Sequence, residues 1–329
     1  MYKTFYGFRH DPFEITPDPS FLFGTERHNE ALATLYYGVR RRKGFVVMTG
    51  EVGTGKTLLV RCLLQLLKDS NVTYAYVFNS RLSSVEFLQY VVGDLGLATS
   101  GKTKGELLLE LGSYLVRRHQ QNLTTVLVAD EAHHLSADVL EEIRLLTNLE
   151  TAHDKLLQIL LVGQPELDEK LDSVALRQLK QRIALRSQLL PLSLEETRGY
   201  IQRRLHIAGA KSPAVLFPDD TVATIHRHSR GIPRVINTVC ENALIGAYAR
   251  QLRTVPPNII EEVAADFRLN VVHTPRAQPI TNIDDNPEVW RAVKTMLQFQ
   301  SQLQAMRSRE EESLLTTEPG GASKHEPII

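Results

Sequence analysis

The sequence predicts an α/β fold, in which a parallel sheet is covered by helices on both faces and is followed by a smaller helical domain. Short apolar runs alternate with amphipathic helical patterns from about residue 41 to about residue 192, as in parallel sheets that are buried on both faces. From about residue 193 to about residue 268 the strand patterns stop and only helical patterns remain. A chain of 329 residues is long enough for both domains.

The first 40 residues differ from both domains because they are rich in aromatic residues and proline. Proline has no backbone N–H to donate, so we expect no helix before about residue 27, where a helix to residue 40 begins. We expect residues 1–40 to form an ordered collar that packs on the main domain.

Five apolar runs are the strand candidates of the α/β domain, at residues 45–49, 72–78, 124–129, 158–162 and 183–190. Helical patterns lie between them, for example at residues 84–95, 103–121 and 137–150. The helical domain contains four more, at residues 194–208, 219–229, 233–250 and 257–267. Ser193 followed by Glu196 predicts a capping box, and Pro233 and Pro257 suit the first turns of their helices.

Residues 269–329 form a last region with a different composition. Residues 272–288 are polar and contain three prolines, so they predict a linker. An amphipathic helix is predicted from residue 288 to about residue 311, and the stretch after it is predicted to be disordered.

The composition excludes some broad classes of protein. Lys and Arg total 38, as do Asp and Glu, so the zero formal charge argues against a generally basic nucleic-acid binder but leaves room for a local patch. Cys62 and Cys240 lie in apolar helical patterns, and we expect them to be reduced core thiols of a cytosolic protein. No signal peptide and no apolar run of membrane-spanning length is visible, so we expect a cytoplasmic protein without a membrane span.

The most informative motif follows the first strand candidate. Eight residues match the phosphate-binding pattern G-x-x-x-x-G-K-[ST] at every position: Gly50, Glu51, Val52, Gly53, Thr54, Gly55, Lys56 and Thr57. Glycines let the backbone N–H groups point at an anion, and the start of the following helix adds partial positive charge. We expect Lys56 to reach the β- and γ-phosphates and Thr57 to hold Mg²⁺.

Two acids, Asp130 and Glu131, directly follow the apolar run 124–129. Ligands bind outside the carboxyl ends of parallel strands, so both acids are expected near the phosphate-binding motif. Asp130 is expected to bind Mg²⁺, directly or through water, and Glu131 to orient and deprotonate the attacking water. His133 and His134 come next, but they lack the i, i+4 spacing of metal ligands on a helix, and a polar loop is the simpler interpretation.

Three further residues are candidates for contact with the nucleotide. Gln164 ends another apolar run; it could hydrogen-bond the γ-phosphate or the water, or only start the turn at Pro165. Arg182, before the last strand candidate, is a candidate arginine finger for a neighbouring subunit's nucleotide, or part of a solvated basic helix face. Arg234 begins a helix of the helical domain, from which it could reach the γ-phosphate and couple hydrolysis to lid motion.

The order of these features resembles an AAA+ ATPase: a Walker A motif at residues 50–57, a Walker B pair at Asp130 and Glu131, a sensor at Gln164, then Arg182 and the Gly-x-Pro-Arg run that ends at Arg234. The aromatic and proline-rich run at residues 5–19 and the run Gly163-Gln164-Pro165-Glu166-Leu167 are more selective. They resemble the general secretion pathway protein A (ExeA-like) ATPases, which include a shorter subfamily from exosortase and exopolysaccharide loci. The resemblance covers about residues 1–268.

Two departures from that family are visible. Its longer members carry a transmembrane helix and a peptidoglycan-binding domain after the ATPase; neither is found in this sequence, which favours the short subfamily. Gln164 stands where many AAA+ proteins have Asn or Thr, but relatives of this type share the Gln.

The resemblance implies a P-loop NTPase (AAA+) core at residues 41–192 and a helical lid at residues 193–268, which bind ATP and Mg²⁺ and hydrolyse ATP to ADP and phosphate. It also implies a homo-oligomeric ring or filament in which Arg182 acts in trans. The implied role is to energise or regulate secretion or envelope (exopolysaccharide) assembly with a protein partner, in the cytoplasm or peripherally at the inner membrane.

Two other functions stay open at this point. An ATP-dependent DNA-binding transposition helper (TniB- or TnsC-like) has the same core, and residues 40–43, Arg-Arg-Arg-Lys, are the best basic cluster for it, although a balanced charge gives little affinity for phosphates. The other is a non-hydrolysing scaffold that ATP only orders, with the apolar stripe from Val289 to Met306 as its docking surface. The preference between ATP and GTP is also open.

Overall fold

Residues 2–16, 18–68, 71–78 and 82–269 are described by the structure, a computed structural model. All of these residues belong to one unit of the chain. The predicted linker, the predicted amphipathic helix with its stripe from Val289 to Met306, and the predicted tail lie outside the described residues.

A five-stranded parallel sheet forms the centre of the α/β region, with the order β2-β3-β4-β1-β5. Its strands are β1 (Phe45–Gly50), β2 (Val72–Val77), β3 (Thr124–Ala129), β4 (Leu157–Gly163) and β5 (Leu185–Leu189). Strands β1 and β4 are buried along their whole length because elements cover both faces of the sheet. The predicted α/β fold is confirmed, and all five strand candidates lie within two residues of the observed bounds.

Eight helices precede the helical region or surround the sheet: α1 (Tyr2–Tyr6), α2 (Glu26–Arg40), α3 (Lys56–Leu67), α4 (Ser84–Asp94), α5 (Lys104–Gln120), α6 (Ala137–Leu146), α7 (Glu166–Leu171) and α8 (Arg177–Lys180). Capping boxes begin α4 at Ser83 and α5 at Thr103. Helix α6 ends four residues before the predicted end at residue 150. The chain turns back there, and Glu150 pairs with Lys155 in an isolated antiparallel bridge before β4.

The helical region contains α9 (Leu194–Ile207), α10 (Pro213–Leu216), α11 (Asp219–Ser229), α12 (Pro233–Ala249) and α13 (Pro257–Asp266). The four predicted helices are observed within one residue of their predicted bounds; the single turn α10 was not predicted. The capping box of Ser193 and Glu196 is present, and Pro233 and Pro257 lie in first turns, as predicted. None of the helices in the described ranges is both long and apolar enough to cross a membrane.

The prediction that no helix forms before residue 27 is wrong, because α1 lies at Tyr2–Tyr6. The first proline is Pro12, so the proline argument does not reach this segment. Contacts with α12 hold α1 in place: the Tyr2 hydroxyl donates to Glu241 Oε1 at 2.6 Å.

Residues 2–16, which we name the arm, pack against the helical region. Phe8 and Phe13 share a hydrophobic cluster with α9, α11, α12 and α13. The buried Arg204 of α9 donates from Nε to the Pro12 carbonyl at 2.6 Å and from an Nη atom to the Glu14 carbonyl at 3.0 Å. Helix α2, in contrast, contacts β5 and α3. The predicted collar is therefore divided between the helical region and the α/β region.

Candidate nucleotide-binding site

The Walker A loop joins β1, which ends at Gly50, to α3, which begins at Lys56. Gly53 and Gly55 have φ values of +81° and +102°, in the left-handed region that favours glycine. A Cβ on Gly50 would lie 2.7 Å from the Leu189 carbonyl oxygen of β5, so the close approach of the two strands also requires glycine. The loop therefore has the backbone that a phosphate-binding turn needs.

Lys56 is folded into its own loop. Its side chain is 6% exposed, and its Nζ atom donates to the carbonyl oxygens of Gly50 at 2.7 Å and Glu51 at 2.9 Å. Burial lowers the pKa of Lys56, while the nearby carboxylates of Glu131 and Asp130 act in the opposite direction. The buried ammonium group of Lys56 is therefore held by two main-chain oxygens of the Walker A loop.

Asp130 accepts hydrogen bonds from three donors at the carboxyl edge of the sheet. Thr57 Oγ1 and the Tyr76 hydroxyl donate to Oδ2 at 2.8 Å and 2.7 Å, and the Glu131 backbone N–H donates to Oδ1 at 2.9 Å. Burial and the adjacent Asp130 carboxylate raise the pKa of Tyr76, so its hydroxyl stays a donor. The Thr57 hydroxyl and the Asp130 carboxylate are oxygen ligands of the kind that Mg²⁺ prefers, and the donor set therefore fits that ion.

Glu131 has the left-handed conformation φ 51°, ψ 35°, which is uncommon for a residue with a side chain. Its backbone N–H bond to Asp130 holds this conformation. The Glu131 side chain is exposed, and its Oε2 lies 3.5 Å from His133 Nδ1. The carboxylate is therefore accessible to water, as a general base must be.

Gln164, at the end of β4, contacts His133 twice. The Gln164 backbone N lies 3.3 Å from His133 Nδ1, and its side-chain nitrogen lies 2.8 Å from His133 Nε2. Glu131, His133 and His134 bring ligand atoms within 4.8 Å of one another, a grouping that could hold a metal ion. Both ring nitrogens of His133 already have Gln164 as a partner, however, so no metal is needed to explain the arrangement.

Arg234 is brought to the Walker A loop by the start of α12. Its backbone N–H donates to the Gly53 carbonyl at 3.2 Å, and a Cβ on Gly53 would lie 2.6 Å from Arg234 Cβ. Gly231, three residues earlier, has a φ of +73° and accepts a hydrogen bond from Leu192 N–H at 2.8 Å. The helical region thus contacts the phosphate-binding loop directly.

Arg182 lies at the opposite edge of the sheet. It is exposed, and Ala184, two residues later, donates to the carbonyl of Phe45, the first residue of β1. The six residues of β1 separate this edge from the Walker A loop, a distance of about 20 Å. The structure therefore groups Gly50 to Thr57 with Asp130, Glu131, Gln164 and Arg234, and leaves Arg182 outside this group.

The sequence analysis missed two polar contacts of this site. Tyr76 looked like one residue of an apolar strand, although its position near the carboxyl end of β2 places it beside β3 and Asp130. His28 of α2 lies with Nε2 3.2 Å from the Thr54 carbonyl and Nδ1 2.7 Å from Thr25 Oγ1. Burial lowers the pKa of His28. His28 lies three residues after Thr25, the N-cap of α2, and this local position gives no sign of the contact with Thr54.

Comparisons with known proteins agree with this geometry. A family model described as an AAA domain matches residues 39–171. General secretion pathway protein A of Aeromonas hydrophila is 45% identical over 251 residues, which are 76% of this chain and 45% of that protein. The chain is an AAA+ protein related to general secretion pathway protein A. The predicted resemblance and the predicted P-loop fold are thereby confirmed.

This AAA+ chain spans less than half the length of the curated relatives it matches. ATP-dependent target DNA activator B of Escherichia phage Mu is 33% identical over 104 residues, 32% of this chain and 31% of that protein. Among solved structures, the Aeropyrum pernix ORC2 protein in its ADPNP-ADP complexes has a TM-score of 0.60 at 17% identity, over 81% of this chain and 74% of that one. This likeness shows the AAA+ fold alone.

Proposed function

We propose that this AAA+ chain binds and hydrolyses MgATP at the carboxyl edge of its sheet. The observation that carries the proposal is the 2.8 Å contact between the Thr57 hydroxyl and the Asp130 carboxylate. It joins the first turn of α3, where the phosphates bind in P-loop proteins, to the acid that directly follows β3. Lys56 lies close to Glu131 and Asp130, so the cation, the metal ligands and the proposed base of one subunit are within one small region.

The residues of the chain would divide the work as follows. The Walker A N–H groups and Lys56 would bind the phosphates, and Thr57 and Asp130 would hold Mg²⁺. The ion, when bound, would supply positive charge against the phosphate oxygens. Glu131 would orient the attacking water and take its proton. Gln164 and Arg234 would contact the γ-phosphate side of the pocket.

The test is steady-state phosphate release by the full chain with MgATP. Glu131→Gln is expected to lower kcat about 100-fold or more, because it removes the general base, while ATP binding is retained. Glu166→Gln is the matched control. The Glu166 carboxylate also acts to raise the pKa of Lys56, but Glu166 has no assigned role in catalysis. The kcat of this variant should stay near that of the wild type. Equal rates for wild type and Glu131→Gln would contradict hydrolysis and favour the ATP-ordered scaffold.

We also propose a homo-oligomer in which Arg182 completes the site of the next subunit. Its exposure at the edge of the sheet away from the Walker A loop supports a role in trans. The test mixes Arg182→Ala subunits, which keep the base, with Glu131→Gln subunits, which keep the arginine. Activity should be regained in the mixture through sites built from both variants. If the mixture is no more active than either variant alone, Arg182 does not act in trans.

The biological role that we propose is energising or regulating export or assembly of envelope material together with a protein partner. The name of the Aeromonas hydrophila relative and the 45% identity support it. A chain with Lys56→Ala, expressed in place of the wild type, should still be produced but should reduce secretion or polysaccharide export. Normal export with this variant would contradict the role.

A second candidate function is ATP-dependent DNA binding, which the similarity to the phage Mu DNA activator favours. Part of the basic run at residues 40–43 is used internally: Arg42 bonds His119 and Asn122, and Lys43 lies 5.5 Å from the centre of the Tyr37 ring. Duplex binding that requires ATP and weakens with salt would support this candidate. Loss of that binding in Arg40→Ala, with ATPase activity retained, would locate the interface.

A further inference from the structure

His133 lies between the two residues that would sense and activate the attacking water. Its side chain is 5% exposed. Nδ1 faces two groups, the Gln164 backbone N–H at 3.3 Å and Glu131 Oε2 at 3.5 Å. Nε2 faces the side-chain amide of Gln164 at 2.8 Å. One ring therefore touches both predicted catalytic residues.

The two neighbours of Nδ1 make opposite demands. A backbone N–H can only donate a hydrogen bond, and an ionised carboxylate can only accept one. A bare Nδ1 therefore binds the Gln164 backbone, whereas a protonated Nδ1 binds Glu131. Burial and the adjacent His134 lower the pKa of His133, while the carboxylates of Glu131 and Glu166 act in the opposite direction. At a pH above the ordinary histidine pKa of about 6.5 the ring is therefore neutral, and the choice is between two tautomers.

The side chain of Gln164 can satisfy Nε2 in either tautomer. A primary amide carries both a donor NH₂ group and an acceptor oxygen, and rotation of the amide presents one or the other. If the amide turns away, each tautomer leaves one N–H without an acceptor: Nε2–H in one, the Gln164 backbone N–H in the other. The tautomer with the proton on Nδ1 is then favoured, because it gains the charge-assisted hydrogen bond to the Glu131 carboxylate.

Hydrogen bonds hold the backbone around the His133 ring in place. A movement of this loop is therefore not a simple way for the ring to exchange its contacts with Gln164 and Glu131. Lys170 Nζ donates to the carbonyl oxygens of His133 at 2.9 Å and Leu135 at 2.6 Å. Glu131 N–H is bonded to Asp130 Oδ1 at 2.9 Å. The short 3₁₀ turn Ala132–His134 is thus anchored at both ends.

We propose that His133 is a positioning residue that couples Gln164 to Glu131. When the Gln164 amide turns to the γ-phosphate, the ring carries its proton on Nδ1 and holds the Glu131 carboxylate in place. When the γ-phosphate has left, Gln164 returns to the ring and Glu131 is released. This inference rests on the proposed ATP hydrolysis. It adds that the Glu131 carboxylate is held in position to take the proton only while a triphosphate is bound.

A double-mutant cycle on kcat tests the coupling in the full chain. His133→Ala and Gln164→Ala should each lower kcat about tenfold or more, the size typical of groups that orient a functional residue, with little change in ATP affinity. The double variant should be no slower than the slower single variant, because both act through one connection. Independent, multiplying effects would overturn the proposal, as would a His133→Ala enzyme with the kcat of the wild type. His153→Ala, an exposed histidine, is the control.

The variant His133→Asn separates positioning from loss of structure. The Asn side-chain amide can replace the ring at Nδ1 but does not extend to the position of Nε2. It should regain part of the kcat lost in His133→Ala, with the same melting temperature as the wild type. An Asn variant as slow as the Ala variant would count against the Nδ1 contact with Glu131.

Nuclear magnetic resonance gives a measurement that does not depend on activity. In the nucleotide-free full chain labelled with ¹⁵N-histidine, the His133 signals are assigned by their loss in His133→Asn. Gln164→Ala should shift the His133 ring toward the Nδ1-protonated tautomer, and an unchanged tautomer would refute the coupling. A wild type no faster than Glu131→Gln would instead refute the proposed function, and the tautomer shift then decides the inference by itself.

Discussion

Gly231→Ala is expected to destabilise the contact between the helical region and the Walker A loop. Gly231 has a φ of +73°, and an added Cβ would lie 1.9 Å from the Leu192 carbonyl oxygen. Ordinary carbon–oxygen contacts are about 3.3 Å or longer. The overlap is with the backbone, so it cannot be relieved by rotating a side chain. The backbone must therefore move, and this movement would also disturb the 2.8 Å hydrogen bond from Leu192 N–H to the Gly231 carbonyl.

The magnitude follows from three contributions. A left-handed conformation costs an L-residue about 1–2 kcal/mol, overpacking costs about 1–3 kcal/mol, and the strained hydrogen bond contributes about 0.5–1.5 kcal/mol. A loss of about 2.5–6.5 kcal/mol lowers the melting temperature by about 5 °C or more in a protein of this size. Because Arg234 follows in the same turn, ATP affinity should fall as well.

Thermal unfolding by circular dichroism, with and without MgATP, is the assay. Gly96→Ala is the matched control: its φ is +82°, but an added Cβ would meet no atom within 4 Å. That variant should carry only the conformational cost of about 1–2 kcal/mol and keep its ATP affinity. If Gly231→Ala and Gly96→Ala melt at the same temperature, the steric argument is refuted.

Two further predictions concern stability. Tyr76→Phe removes a donor to the buried carboxylate of Asp130 and should cost about 1.5–3 kcal/mol of unfolding free energy; Tyr74→Phe, on the same strand and 44% exposed, should cost almost nothing, and equal losses would contradict this. Burial raises the pKa of Glu241 above 4.5, so the native state binds the proton of this carboxyl group more tightly than the unfolded state does. The free energy of unfolding therefore falls as the pH rises from about 4.5 through the raised pKa. Glu241→Gln should reduce that fall in urea titrations across this pH range, and an unchanged pH profile would count against the buried-acid interpretation.

The sequence predicted the order of strands and helices well because each element carries its own local pattern. The strand β3 and the helix α11 were predicted with the observed bounds, since the apolar run of the one and the helical spacing of the other mark them directly. Helix α6 was predicted too long, because its end depends on the pairing of Glu150 with Lys155. The position of the arm depends on Arg204, almost 200 residues away, and no local pattern reveals it.

The Walker residues could be proposed from the sequence because their spacing reflects one local turn and one strand end. The contact of Tyr76 with Asp130 depends on which strands are neighbours, and sheet order is not written in the periodicity of single strands. The engagement of Gln164 by His133 likewise joins two loops after different strands. Roles assigned to Gln164, Arg182 and Arg234 stay predictions until the variants are measured.

The Arg204 guanidinium donates hydrogen bonds to two main-chain carbonyl oxygens, those of Pro12 and Glu14. Every amino acid supplies such an oxygen, whatever its side chain. The link should therefore survive changes of arm side chains and fail when the guanidinium is removed. If α9 rotates relative to the sheet, residues 2–16 are expected to move with it. A donor dye attached at position 3, paired with an acceptor at the exposed position 40, would report such a rotation on addition of MgATP as a change in fluorescence energy transfer.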